Sequence, residues 1–242
     1  MIEIAICLAI VAFAMVAIMG VLPMGLQVQK TNREETIITL DGAYFLEAIR
    51  GGSYRIDDLT NYVDWIRLTN YSGTGPPTVV GLTNPMTGWQ LMGLLSTPKY
   101  RLATNGLWQT NFVRAKVRAL SGSAIEKTGA LKDFGFSYLL DAEVIPFKWS
   151  ALRNLPPLGT NQTPAQYSQR LQATNLANAT YEVRLTLRWP VRPNGTPGLE
   201  RQVFRTLVTG RLYQDTNWWS ALPTLNGGSW FPYFFQPSVY GH

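Results

Sequence analysis

The sequence predicts an α+β chain: one long N-terminal helix packed against an antiparallel β-sheet head. Three observations carry that reading. Ile4 to Leu26 is a run of 23 residues without a charge. The polar stretch behind it keeps a helical apolar period up to a Gly-Gly pair. Beyond residue 110, apolar residues alternate with mainly basic ones in two segments, 112–120 and 181–189.

The apolar run comes first. At about 1.5 Å per residue, a helix of that length crosses a hydrocarbon core of about 30 Å. A cleavable signal peptide has a basic start, a shorter apolar region and a small-x-small end. Here no Lys or Arg precedes the run, and Ala12-Phe13-Ala14 lies in its middle. A membrane-inserting helix is therefore expected over residues 1–27.

The helix is expected to continue through 28–52. No proline or glycine interrupts "QVQKTNREETIITLD" before Gly42. Ile37, Leu40, Tyr44 and Ala48, with Ile38, Phe45 and Ile49 beside them, form one stripe. Lys30 and Glu34 stand one turn apart and can pair. Gly51-Gly52 supplies the stop. The whole rod would be roughly 75 Å long.

This arrangement resembles the type IV pilin and type II secretion pseudopilin family. The resemblance rests on Glu3, the following "IAICLAIVAFAMVAIMGVLP" and the amphipathic continuation to Gly51. It implies a structural filament subunit, not an enzyme, with no cofactor. Its partners would be copies of itself in a helical filament, other pilins and an assembly machine. Its location would be the bacterial inner membrane before assembly and a periplasmic or cell-surface filament afterwards.

The resemblance also implies roles for three residues. Glu3 would neutralise the terminal ammonium of a neighbouring subunit. Gly20 and Pro23 would let the helix open in the filament, since proline leaves the Met19 carbonyl without its donor. Two plainer readings stand beside these: Glu3 favouring the helix N-terminus through its dipole, and Gly and Pro tolerated in a membrane helix. In the family the glutamate is fifth in the mature chain, and here it is third. Either two mature residues and a basic leader precede Met1, or Met1 is itself the start. Lys30 and Arg33 follow the span, so the positive-inside rule alone leaves the head in the cytoplasm; a basic leader would reverse that.

Residues 53–242 form the expected head. "IDDLTNYVDWI" offers Asp57 or Asp58 as a cap, and then Leu59, Tyr62, Val63 and Ile66 at helical spacing, so a short helix is expected. "TNYSGTGPPT" reads as a loop. Strands are expected over 112–120, 134–147, 181–189 and 202–212, with "PVRPNGTPG" turning between the last two. "LPPLGTNQTPAQYSQRLQATNLANAT" reads as a surface insertion or a short helix near 165–173. The aromatic tail from Trp218 to Tyr240 is interleaved with proline and glycine, and no regular strand is expected there. Packing or a subunit contact is favoured for it over a stacking site for sugars or bases.

Charge and composition restrict the chemistry. The net charge is +6. It divides into four basic and seven acidic residues over 1–58, against 17 and eight over 59–242. The chain has one cysteine, Cys7, and one histidine, His242. That is too few for a disulfide, a zinc cluster or a histidine-based triad; no catalytic or metal residue is assigned. Arg114, Lys116, Arg118, Arg184 and Arg188 can share one sheet face. They are either the solvated side of the sheet or a contact for nucleic acid or another acidic polymer. The second belongs to an alternative function, a monomeric membrane-anchored domain binding an acidic polymer or glycan. A carboxylate hydrolase is a third possibility without a motif. Asn70, Asn161, Asn178 and Asn194 each open an N-x-Ser/Thr triplet.

Overall fold

Helix α1, Ile2–Arg50, is a single uninterrupted rod of 49 residues. It was obtained in a computed structural model that describes residues 2–53, 56–72, 75–83, 86–102, 108–121, 135–147, 149–155, 163–192, 194–217, 222–223 and 229–236. The rod runs through Gly20 and Pro23 without a break. Residues 2–30 are exposed on every side. Lys30 and Glu34 make the expected pair at 3.8 Å. The stop is also as expected. Gly52 takes φ of +61°, its N–H reaches the Ile49 carbonyl, and Ser53 N–H reaches Ala48. These two bonds satisfy the carbonyls a helix end leaves open.

The head follows. A 3-10 turn at Asp57–Tyr62 leads into strand β1, Val63–Ser72, and β2, Thr78–Leu82. Helix α2, Gly88–Leu95, starts on a capping box between Thr87 and Gln90. Then come β3, Tyr100–Leu102; β4, Trp108–Arg118; and β5, Ser137–Pro146. Helices α3, Trp149–Asn154, and α4, Pro164–Ala179, cross over to β6, Thr180–Val191, which turns back as β7, Pro197–Thr209. The chain ends with β8, Arg211–Gln214; β9, Leu222–Pro223; β10, Ser229–Trp230; and β11, Tyr233–Gln236.

Strands order as β2-β1-β4-β5-β6-β7 in one antiparallel sheet, with β3 also on β4. All four expected strands are present, as β4 to β7. Their inner residues are the apolar half of each alternation: Val113, Ala115 and Val117; Tyr138, Leu140 and Ala142; Val183, Leu185 and Leu187. α1 and α2 cover this inner face, α2 through Leu91, Met92, Leu94 and Leu95. Burying one such side chain contributes about 1.5–3 kcal/mol, so this layer outweighs every other term holding the head.

Four local expectations are corrected. The helix expected at 57–66 is a 3-10 turn that ends at Tyr62, and Val63 onward is strand. There Ile66, Leu68 and Asn70 point inward two apart, and pairing with both β2 and β4 overrides the short helical pattern. Thr69 to Ser72 belong to that strand rather than to a loop. Of the two alternatives near 165–173 the helix holds, but it is longer than expected: α4 has 16 residues and again a capping box, Thr163 with Gln166. In the tail, β11 pairs with β8, and Trp230, Tyr233, Phe234 and Phe235 are buried in the main core. Trp218, Trp219 and Tyr240 lie outside the described residues.

The buried stripe of α1 is also displaced from its expected place. It comprises Ile37, Ile38, Asp41, Gly42, Phe45, Ala48 and Ile49. Leu40 is 55% exposed and Tyr44 45%. The physical reason lies in two residues with no apolar side chain. At Gly42 a Cβ would stand 2.3 Å from the Phe204 ring of β7, so only glycine admits that ring against the helix. One residue earlier, Asp41 faces inward because its carboxylate is fully hydrogen-bonded.

Candidate functional site

Asp41 sits in the middle of the helix–sheet contact with no exposed surface. Its Oδ1 accepts the Ser121 N–H at 3.0 Å and the Ser121 hydroxyl at 2.6 Å. Its Oδ2 accepts the Leu120 N–H at 2.9 Å and the Tyr138 hydroxyl at 3.0 Å. Burying a carboxylate costs several kcal/mol unless its lone pairs are filled; here all four positions are. Burial, and then the adjacent carboxylate, push the Tyr138 hydroxyl well above its ordinary pKa. It stays protonated and donating. The cluster ties α1 to the end of β4 and to β5.

Glu3 lies in the first helical turn, exposed, and among the described residues it has no ion-pair partner. A Cβ on Gly20 would meet nothing within 4 Å. Cys7 is exposed.

On the outer face of the sheet, strand alternation brings all five candidate basic residues together. They do not stand as free charge. Asp64 takes Lys116 at 3.0 Å and Arg118 at 2.7 Å. Asp141 takes both Arg114 nitrogens at 2.5 and 3.0 Å and Arg188 at 3.4 Å. Glu143 takes Lys99 at 2.5 Å and Arg184 at 3.6 Å, and Arg184 also reaches Glu182 at 2.9 Å. Burial raises the Asp64 carboxyl, but hydrogen bonds from Arg118 and Lys116 outweigh it and hold the group below its ordinary pKa. The hydrogen bond that Arg114 donates to Asp141 outweighs burial and leaves the guanidinium above its ordinary pKa. These pairs form a lattice across β1, β4, β5 and β6, as a solvated sheet face does.

Three further arginines share this face and were not legible as members of it. Arg67 on β1 lies opposite Arg114. On the edge strand, Arg201 lies opposite Arg188 and Arg205 opposite Arg184. Among the described residues none of the three has an ion-pair partner. The parity of residues along β1 and β7 was the available signal; it needed the strand bounds and the register, which composition does not supply.

Among the described residues, no three His, Cys, Asp or Glu side chains are placed to hold a metal ion. Asn70 is buried, and its side-chain nitrogen donates to Asn111 Oδ1 at 2.6 Å, so the folded head withholds that amide from modification. Asn178 and Asn194 are exposed, and Asn161 lies outside the described residues. The chain matches no protein-family model, no curated protein and no solved structure.

Proposed function

We propose that this chain is a structural subunit of a type IV pilus-like or pseudopilus filament, held in a membrane by α1 before assembly and packed through α1 afterwards. The observation that carries the reading is the division of one continuous helix into two regimes. Residues 37–49 bury a face in the head. Residues 2–30 bury nothing. Sixteen large apolar side chains from Ile2 to Val28 stand in the open. Covering them stabilises the covered state by on the order of 25 kcal/mol even at the low end of about 1.5 kcal/mol each. No soluble monomer leaves such a surface bare. α1 is long and apolar enough to cross a membrane, and a bundle of α1 copies covers the same surface.

Glu3 favours the bundle over a permanent anchor. A carboxylate at the apolar end of the rod is costly in lipid and is met by a cationic group in functional cases. In a staggered bundle, a neighbouring copy brings its own N-terminal end past Glu3. The buried helix–head contact at Asp41 and Gly42 supports the same reading, because heads repeat along a filament when every rod meets its head in the same way. The inner membrane of a bacterium, a filament of identical copies and the companion pilins and assembly machinery follow as the expected setting. Catalysis has no part in this role.

The test is charge reversal. Glu3→Lys should insert into membranes like the unmodified chain and give no filaments by negative-stain electron microscopy and sedimentation. Glu3→Asp should assemble at reduced yield. Wild-type filament yield from Glu3→Lys would end the proposal.

A further inference from the structure

The outer face of the sheet is hollowed into a trough of about 450 Å³ between β1 and β6, within the range of about 300–1,000 Å³ typical of small-ligand sites. Its walls are chemically mixed in a particular way. At one end Tyr71 and Phe112 pack edge to face at 5.7 Å and are nearly half exposed, at 47% and 46%. Arg67 borders the trough with its guanidinium over the Trp65 ring at 5.4 Å. The floor carries Asp141 and Glu143, and the hydroxyl residues Thr69 and Thr186 line the sides.

We infer that this trough is a binding site for a short acidic saccharide of the uronic-acid type. It lies on the head and is independent of how α1 is covered. Each wall meets one part of such a ligand. The guanidinium of Arg67, which has no ion-pair partner among the described residues, lies over the Trp65 indole and can fork onto a carboxylate. The exposed aromatic pair takes the apolar C–H face of a sugar ring. Asp141 and Glu143, each already bonded to arginine or lysine, keep lone pairs that accept ring hydroxyls, and the threonines both donate and accept.

The same features disfavour the other acidic polymers. A nucleic-acid backbone brings few hydroxyl donors for the two floor carboxylates to accept, whereas each sugar ring brings several. An acidic peptide bound as an added strand needs an open edge, but β1, β4, β5 and β6 are each paired on both sides.

The experiment uses the full chain in detergent micelles and isothermal titration calorimetry with trigalacturonate. Maltotriose, a thymidine hexanucleotide and hexaglutamate serve as comparators. Trigalacturonate should bind saturably and each comparator more weakly. Arg67→Ala should weaken binding by at least about tenfold, the loss of a charge-assisted hydrogen-bonded pair. Phe112→Ala should weaken it several-fold, and Arg153→Ala on α3 should leave it unchanged. Arg67 and Phe112 are exposed, so both variants should keep the wild-type circular dichroism spectrum. The inference fails if trigalacturonate does not bind at millimolar concentrations. It fails equally if Arg67→Ala and Phe112→Ala both bind like wild type, or if the oligonucleotide or peptide binds more tightly than the saccharide.

Discussion

Replacing Asp41 by alanine removes the acceptor for four donors at once: two backbone N–H groups, the Ser121 hydroxyl and the Tyr138 hydroxyl. Ser121 and Leu120 are only partly buried, so water can reach some of those donors. Tyr138 has no exposed surface and is left with an unsatisfied hydroxyl. Each unmet buried donor costs about 1–3 kcal/mol, and loss of one member of a buried charged network costs about 3–5 kcal/mol. Alanine returns at most ~0.7 kcal/mol through helix propensity, so a net loss of about 3–4 kcal/mol is expected. Asp41→Asn keeps one oxygen but turns an NH₂ toward a pair of donors; about 2–3 kcal/mol is expected there. The assay is urea unfolding of the full chain in micelles, followed by tryptophan fluorescence. With an m-value of about 2.5 kcal/mol/M, Asp41→Ala should lower the midpoint by roughly 1.2–1.6 M. Glu47→Ala, which breaks only an exposed pair with Arg50, should shift it by less than about 0.4 M. If Asp41→Ala shifts the midpoint no more than Glu47→Ala, the carboxylate is not the joint between rod and head.

Three other outcomes follow from the same packing. Gly42→Ala places a methyl in the Phe204 ring and should destabilise by about 1–3 kcal/mol despite the better helix former; adding Phe204→Leu should restore part of the loss in the same unfolding assay. Tyr138 and Tyr181 have raised pKa values, and burial pushes Tyr233 up to about 12. A raised folded pKa gives stability that is complete below the unfolded value near 10 and falls as pH rises above it. Ultraviolet titration should therefore show a late tyrosinate fraction that ionises together with alkaline unfolding, and Tyr138→Phe should shrink that fraction. For Asp64 the sign is opposite, because its folded pKa is lowered. Its contribution is present above the unfolded value of about 3.9 and fades as pH falls through the folded one, so Asp64→Asn should flatten the acid limb of the stability curve.

How much of this was legible beforehand depended on the kind of signal. The rod and its Gly51-Gly52 stop rest on composition and on a single backbone conformation, and both are local. β4 and β6 were legible because apolar residues alternate with polar or charged ones over most of their length; β5 and β7 carry the weaker signal of strand-forming composition. β1 was misread because four apolar residues happened to fall at helical spacing, while its partners β2 and β4 lie elsewhere in the chain. Asp41 was invisible for a related reason. A buried acid looks like a surface residue until its donors, 79 to 97 residues away, are brought to it by the fold. The outer face was half legible. Arginines at alternate positions announce a charged side, but the carboxylate that neutralises Arg114 and Arg188 comes from β5, and Arg67, without an ion-pair partner among the described residues, comes from β1, whose strand pattern is masked by helical spacing.

In the proposed filament, the bare half of α1 is covered by other copies of itself. Cryo-electron microscopy of particles sheared from membranes without detergent addresses it most directly. Helical filaments are expected, with residues 2–30 bundled along the axis, heads outside, and a cationic group of the adjacent copy within hydrogen-bonding reach of Glu3. Isolated chains whose first thirty residues meet only lipid, with nothing positive beside Glu3, would contradict it.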